Sequence, residues 1–84
     1  MSKHTALMLV TGQSQPGIEE ALKETLSPFA IKILDVQYMD IRDRYFLAIL
    51  FSLDQAHASA IEKDCMETAQ KFQLDIAFDY RTEN

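Results

Sequence analysis

Scarcity narrows the possibilities for this chain before any motif is read. It has one cysteine, Cys65, so no internal disulfide can form, and a reducing, cytoplasmic setting is expected. The same count excludes a Cys-x-x-Cys metal or redox motif. Lys and Arg number 8 against 13 Asp and Glu, for a net charge of −5. Nucleic-acid binding neutralises phosphates with clustered cations, and anionic membranes attract basic surfaces, so neither partner is expected. No run approaches the roughly 20 apolar residues of a membrane span, and the first apolar stretch is too short for a signal peptide. Repeats, low-complexity tracts and linkers are absent too. With 84 residues, 48% of them apolar, one domain over 1–84 is expected, near the size where a single core just suffices.

Glycine and proline are rare as well, two of each, which makes their placement informative. Gly12 and Gly17 bracket one loop, and Pro16 stands beside the second glycine. The apolar run Leu7-Met-Leu-Val10 precedes this loop, and a helical pattern follows it. The stretch therefore reads as strand, tight polar turn, helix start. Glycine admits left-handed backbone and close approach of another group. A helix start presents free N–H groups that favour a carboxylate. The loop can thus be a simple turn or half of a site for a small acidic or zwitterionic ligand.

The remaining chain alternates between the two main periodicities. A first strand is expected over 5–11, apolar on both faces as a central strand is. A helix over 16–29 carries the stripe Ile18, Ala21, Leu22, Thr25, Leu26 and Phe29, with Ser14 as its N-cap and Pro28 as its stop. A strand over 31–42 changes phase, which predicts a bulge near Val36 or Tyr38. Asp40-Ile-Arg-Asp-Arg44 contains the next turn as a solvated hairpin tip, and 45–51 is a second central strand. A helix over 55–72 buries Ala58, Ile61, Cys65, Ala69 and Phe72, and 73–80 alternates cleanly as an edge strand with one wet face.

The order is βαββαβ, a ferredoxin-like α+β sandwich with a four-stranded antiparallel sheet and two helices on one face. Two central strands that are apolar on both faces leave a surplus, because the helices cover only one side. A second copy, or more of a larger protein, is expected over the other face or along an edge.

Self-sufficient chemistry is not legible. Cys65 sits on the buried stripe and reads as packing. Asp54, His57 and Glu62 spread around a helix start rather than converging as metal ligands. The carboxylates Asp35, Asp40 and Asp43 have no His, Lys or Ser beside them at catalytic spacing. An RNA-recognition domain shares the element order but needs exposed aromatics with basic flanks, and an acylphosphatase-like loop needs an Arg that this one lacks.

Leu9-Val-Thr-Gly-Gln-Ser-Gln-Pro-Gly-Ile18, followed by Ala21-Leu22, Ile31-Lys-Ile-Leu-Asp-Val-Gln37 and Leu47-Ala-Ile-Leu50, resembles the ACT domain family. Within it the chain is most similar to the N-terminal ACT domains of bacterial phosphoserine phosphatases. The resemblance implies a regulatory module that binds an amino acid, L-serine first, between two ACT domains, either in a homodimer or with a second such domain. By position it points to Gly12, Ser14, Gln15, Pro16, Gly17 and Ile18 on one side and to Ile33, Leu34, Asp35 and Val36 on the other. Helix N–H groups would meet the ligand carboxylate, and Asp35 or backbone carbonyls would receive the ammonium. The family's loop usually carries an acidic residue two before the proline, where this chain has Ser14. No Asp-x-Asp nucleophile motif is present, so this chain is expected to hold no catalytic site and no cofactor. The resemblance places Mg²⁺ only in the phosphatase part of such a protein. A ligand-independent dimerisation domain of a transcriptional regulator is the alternative implied by the same fold.

Overall fold

The computed structural model describes residues 3–83, so the reading of the leader region at Met1 and Ser2 lies outside the described residues. Strand β1 (Lys3–Gln13) leads through the glycine loop into helix α1 (Ile18–Leu26). Strands β2 (Lys32–Ile41) and β3 (Arg44–Leu53) form a hairpin, and a single 3-10 turn (Gln55–His57) opens helix α2 (Ala58–Lys71). Strand β4 (Asp75–Glu83) completes the βαββαβ order. The sheet is fully antiparallel with order β2-β3-β1-β4, so β1 and β3 are central as their two-sided hydrophobicity predicts. Among the described residues no helix is long and apolar enough to cross a membrane.

One face of the sheet meets the helices. Ala6, Met8 and Val10 of β1 and Leu47, Ile49 and Phe51 of β3 pack there against Ile18, Leu22 and Leu26 of α1 and Ile61, Cys65 and Ala69 of α2. All twelve are 0–2% exposed, and each fully buried Leu or Ile contributes about 1.5–3 kcal/mol. Cross-strand partners share a face, so Ile76, Phe78 and Tyr80 of β4 join this side, while Asp75, Ala77 and Asp79 look away with Thr11, Leu9 and Leu7.

Three local details depart from the sequence reading. Helix α1 is shorter than expected and is not capped by Ser14. Its N-cap is Gly17, at φ 86° and without a side-chain cap, and the helix closes at Leu26 before Pro28. The phase change in β2 sits at Leu34, between the pairs Ile33–Phe51 and Asp35–Leu50, rather than near Val36 or Tyr38. Ile33 consequently lies on the helix side with Val36 and Tyr38, while Met39 and Ile41 lie on the other side. Gln73 is not strand but the left-handed residue (φ 58°) that ends α2. Its N–H donates to the Gln70 carbonyl at 3.0 Å and the Leu74 N–H to the Ala69 carbonyl at 2.9 Å, a Schellman closure in which Leu74 and Ala69 are both buried.

The apolar surplus is real and unevenly placed. Large hydrophobics left exposed among the described residues include Ile33, Leu34, Tyr38, Met39 and Ile41, all on the edge strand β2, and Phe46 beside them.

Candidate ligand-binding site

The glycine loop is held by its neighbours on both sides. The Ser14 N–H donates to the Asp43 carbonyl at 2.7 Å, and the Ser14 hydroxyl donates to Asp40 Oδ2 at 2.6 Å. That short O–H···O⁻ distance is typical of a charge-assisted bond. Gln15 Nε2 donates to the Phe72 carbonyl at 2.7 Å, which ties the loop to the end of α2. Ser14 and Gln15 therefore work as anchors. Asp40 is not a free hairpin tip, and it brings a carboxylate to the place where the loop itself has only a hydroxyl.

Two residues position this end of the hairpin. Arg42 (φ 47°) and Asp43 (φ 70°) both take left-handed backbone, the geometry that a two-residue hairpin turn demands and that glycine or asparagine usually supplies. The turn presents the Asp43 carbonyl to Ser14 and keeps Asp40 within reach of the loop.

The first intrahelical bond of α1 runs from the Ala21 N–H to the Gly17 carbonyl at 3.0 Å. The N–H groups of Ile18, Glu19 and Glu20 precede it and point out of the helix start. The surroundings are acidic. The Tyr45 hydroxyl is pushed above its usual pKa by burial first, then by Glu19, Glu20, Tyr38 and Asp40, and the Tyr45 ring stacks on Tyr38 at 6.5 Å. Helix N–H groups beside carboxylates offer something to each end of a zwitterion and little to a free anion.

The second predicted group lies elsewhere. Ile33 and Val36 sit on the helix side at the start of β2, Leu34 forms the bulge, and Asp35 pairs with Leu50 on the open side. Asp35 Oδ1 accepts the Val36 N–H at 2.9 Å and stays exposed. Asp35 and Asp40 are five residues apart along an extended strand, about 16 Å. One chain does not bring the two groups together.

Other residues considered from the sequence have structural roles. Cys65 is fully buried, and burial, helped by Asp64, pushes its thiol up to about 12. A thiol so placed is protonated and shielded, so it is no nucleophile. Asp54 caps the turn before α2, accepting the Ala56 N–H at 3.0 Å. No group of three or more His, Cys, Asp or Glu converges on a metal position among the described residues. What sequence reasoning missed is an open depression of about 660 Å³ on the helix-free side, lined by Thr11, Gly12, Met39, Ile41, Phe46 and Asp75 among others. Only Gly12 of the predicted residues borders it. The signal was there in Met39 and Ile41, which the displaced bulge puts on this side.

Residues 4–79 match the model of the ACT domain, nearly the whole described chain. The chain belongs to the ACT domain family. This ACT domain is 35% identical over 80 residues to phosphoserine phosphatase SerB2 of Mycobacterium tuberculosis, a match that covers 93% of the chain and 20% of that enzyme. It thus spans about a fifth of the curated relative. Among solved structures it superimposes on formyltetrahydrofolate deformylase from Burkholderia mallei with a TM-score of 0.82 at 17% identity, covering 90% of this chain and 28% of that one. A putative glycine cleavage system transcriptional repressor matches with a TM-score of 0.80 at 17% identity, covering 96% and 47%. At such identities these structures show the fold alone. The ferredoxin-like sandwich expected from the element order is the fold observed.

Proposed function

We propose that this ACT domain is a regulatory module that binds a small amino acid, L-serine first, at a site completed by a second ACT domain, and that it serves a phosphoserine phosphatase of serine biosynthesis. One observation carries the reading. The loop group at Gly12–Ile18 and the strand group at Ile33–Val36 lie at opposite ends of the exposed edge strand β2. Antiparallel pairing of β2 with the same strand of a partner reverses one end onto the other. Each loop then faces the partner's Ile33–Val36, and two equivalent sites form across the pairing.

In that site the free N–H groups of Ile18 and Glu19 take the ligand carboxylate, while Asp40 of one chain and backbone carbonyls of the other chain's Ile33–Val36 stretch take the ammonium. The domain supplies binding and pairing, and the hydrolytic chemistry with its Mg²⁺ belongs to another part of the parent protein. The 35% identity to a phosphoserine phosphatase supports serine as the first ligand to try. The lone buried thiol suits the reducing cytoplasm where such an enzyme works.

The test is thermal stability against each of the twenty amino acids. A ligand present at 100 times its Kd stabilises the folded state by about 2.7 kcal/mol, several degrees in Tm for a domain of this size. L-serine is expected to give the largest rise. If no amino acid shifts the midpoint at millimolar concentration, the domain is a pairing module without a ligand.

A further inference from the structure

We infer that the helix-free face of the sheet is an interface between two copies of this chain, packed with strands antiparallel and held at its rim by an Asp75–Arg81 ion pair made twice. The inference goes beyond the proposed function: it depends neither on the ligand nor on the β2 edge pairing, and it assigns a contact separate from that edge.

The centre of this face is apolar. Leu7 and Leu9 of β1 and Ala48 and Leu50 of β3 are neighbours there, only half-buried by their own chain. At about 4.8 Å between strands and about 3.4 Å per residue, four strands offer a surface roughly 19 by 30 Å, the footprint of a small specific interface.

Charge placement selects what covers it. Two ladder levels matter. Arg81, Thr5, Ser52 and Lys32 lie across the sheet at one level, and Asp79, Leu7, Leu50 and Asp35 at another. If two faces stack about an axis parallel to the strands, levels are kept and β4 lies over the partner's β2. Arg81 then meets Lys32 and Asp79 meets Asp35, like charge on like charge at both places, which is destabilising. If the axis runs across the strands at the level of Met8, each strand lies over its own copy in reverse. Asp75, level with Thr11, then meets Arg81, level with Thr5, and the reverse pair forms at the other end. In the same arrangement Leu7 lies over Leu9, Leu50 over Ala48, and Asp35 over Gln37, a donor for its carboxylate.

Both rim charges are available. Asp75 has no ion pair among the described residues. Among the described residues Arg81 reaches only Asp79, at 3.7 Å with its side chain 75% exposed, an exposed contact of little energy. The face is self-complementary in one orientation and self-repelling in the other, and this selects a second copy as its occupant.

Sedimentation of the 84-residue chain and three variants tests this. Asp75→Arg and Arg81→Asp should each weaken self-association by about tenfold or more, and the double swap should restore it, because the ion pair is rebuilt in reverse. Circular dichroism checks that each variant keeps its fold. A monomeric parent chain, single variants with unchanged mass, or a double swap no better than the singles would each overturn the interface. The mass at which the single variants stop, monomer or dimer, reads the edge pairing separately. A serine response lost or kept leaves the face assignment untouched.

Discussion

The Ser14 hydroxyl stands 2.6 Å from Asp40 Oδ2, joining residues 26 positions apart across the gap between the glycine loop and the edge strand. Through it the loop that opens α1 is tied to the hairpin that ends β2. The strand it reaches, β2, has the largest share of exposed apolar side chains.

That bond is open to a double-mutant cycle. Ser14→Ala and Asp40→Asn should each lower stability modestly, with a coupling of about 0.5–1 kcal/mol, since the pair is charge-assisted but partly exposed. Urea denaturation of the four chains measures it. Additive effects would show that the two side chains do not communicate.

Gly12 is where the loop is tightest. A Cβ placed there would come within 2.5 Å of Leu74 Cδ2 and 3.4 Å of Leu74 Cα, and Leu74 is buried beneath it. Gly12→Ala should cost about 1–3 kcal/mol, as overpacking of a closed site does. Gly17→Ala has open space around it and should cost only about 1 kcal/mol, for the left-handed backbone. Thermal midpoints of the two variants give the ranking.

Gln73 takes the left-handed position that ends α2, where glycine carries no Cβ penalty. Gln73→Gly should stabilise the domain by about 0.5–1 kcal/mol, read as a higher denaturation midpoint at constant slope.

Cys65 makes a prediction about pH. Its thiol titrates near 12 in the folded domain against an ordinary value of 9.0, chiefly because burial disfavours the thiolate. The folded state then holds its proton more tightly than the unfolded one. The contribution is full below pH 9 and is lost as pH climbs toward 12. Cys65→Ala should flatten that decline. At pH 8 a thiol reagent should label the native chain only as fast as it opens.

Much of the molecule was legible because it depends on periodicity. The apolar spacing of Ile18, Leu22 and Leu26, and of Ile61, Cys65 and Ala69, marks faces that can be buried only against a sheet. The unbroken apolar runs at Leu7–Val10 and Tyr45–Phe51 mark the two central strands. What went astray turned on single backbone angles. A bulge at Leu34 instead of Val36 moves Ile33 across the sheet, and a left-handed Gln73 turns an expected strand residue into a helix end. Neither leaves a compositional trace, since neither residue is glycine.

The candidate site divides along the same line. Its loop was visible from two glycines and a proline, because backbone freedom is a property of residue type. Asp40 was not, because its role comes from a hairpin that folds it back onto Ser14, and a carboxylate in a turn looks the same whether solvated or bonded. The chain's pattern alone determined the order of elements, the central strands and the existence of an apolar surplus, all consequences of local spacing and burial. Only the tertiary structure decided which charges stand level across the sheet, and so how Asp75 and Arg81 are set relative to Lys32 and Asp35. Register is a relation between strands, and no single strand contains it.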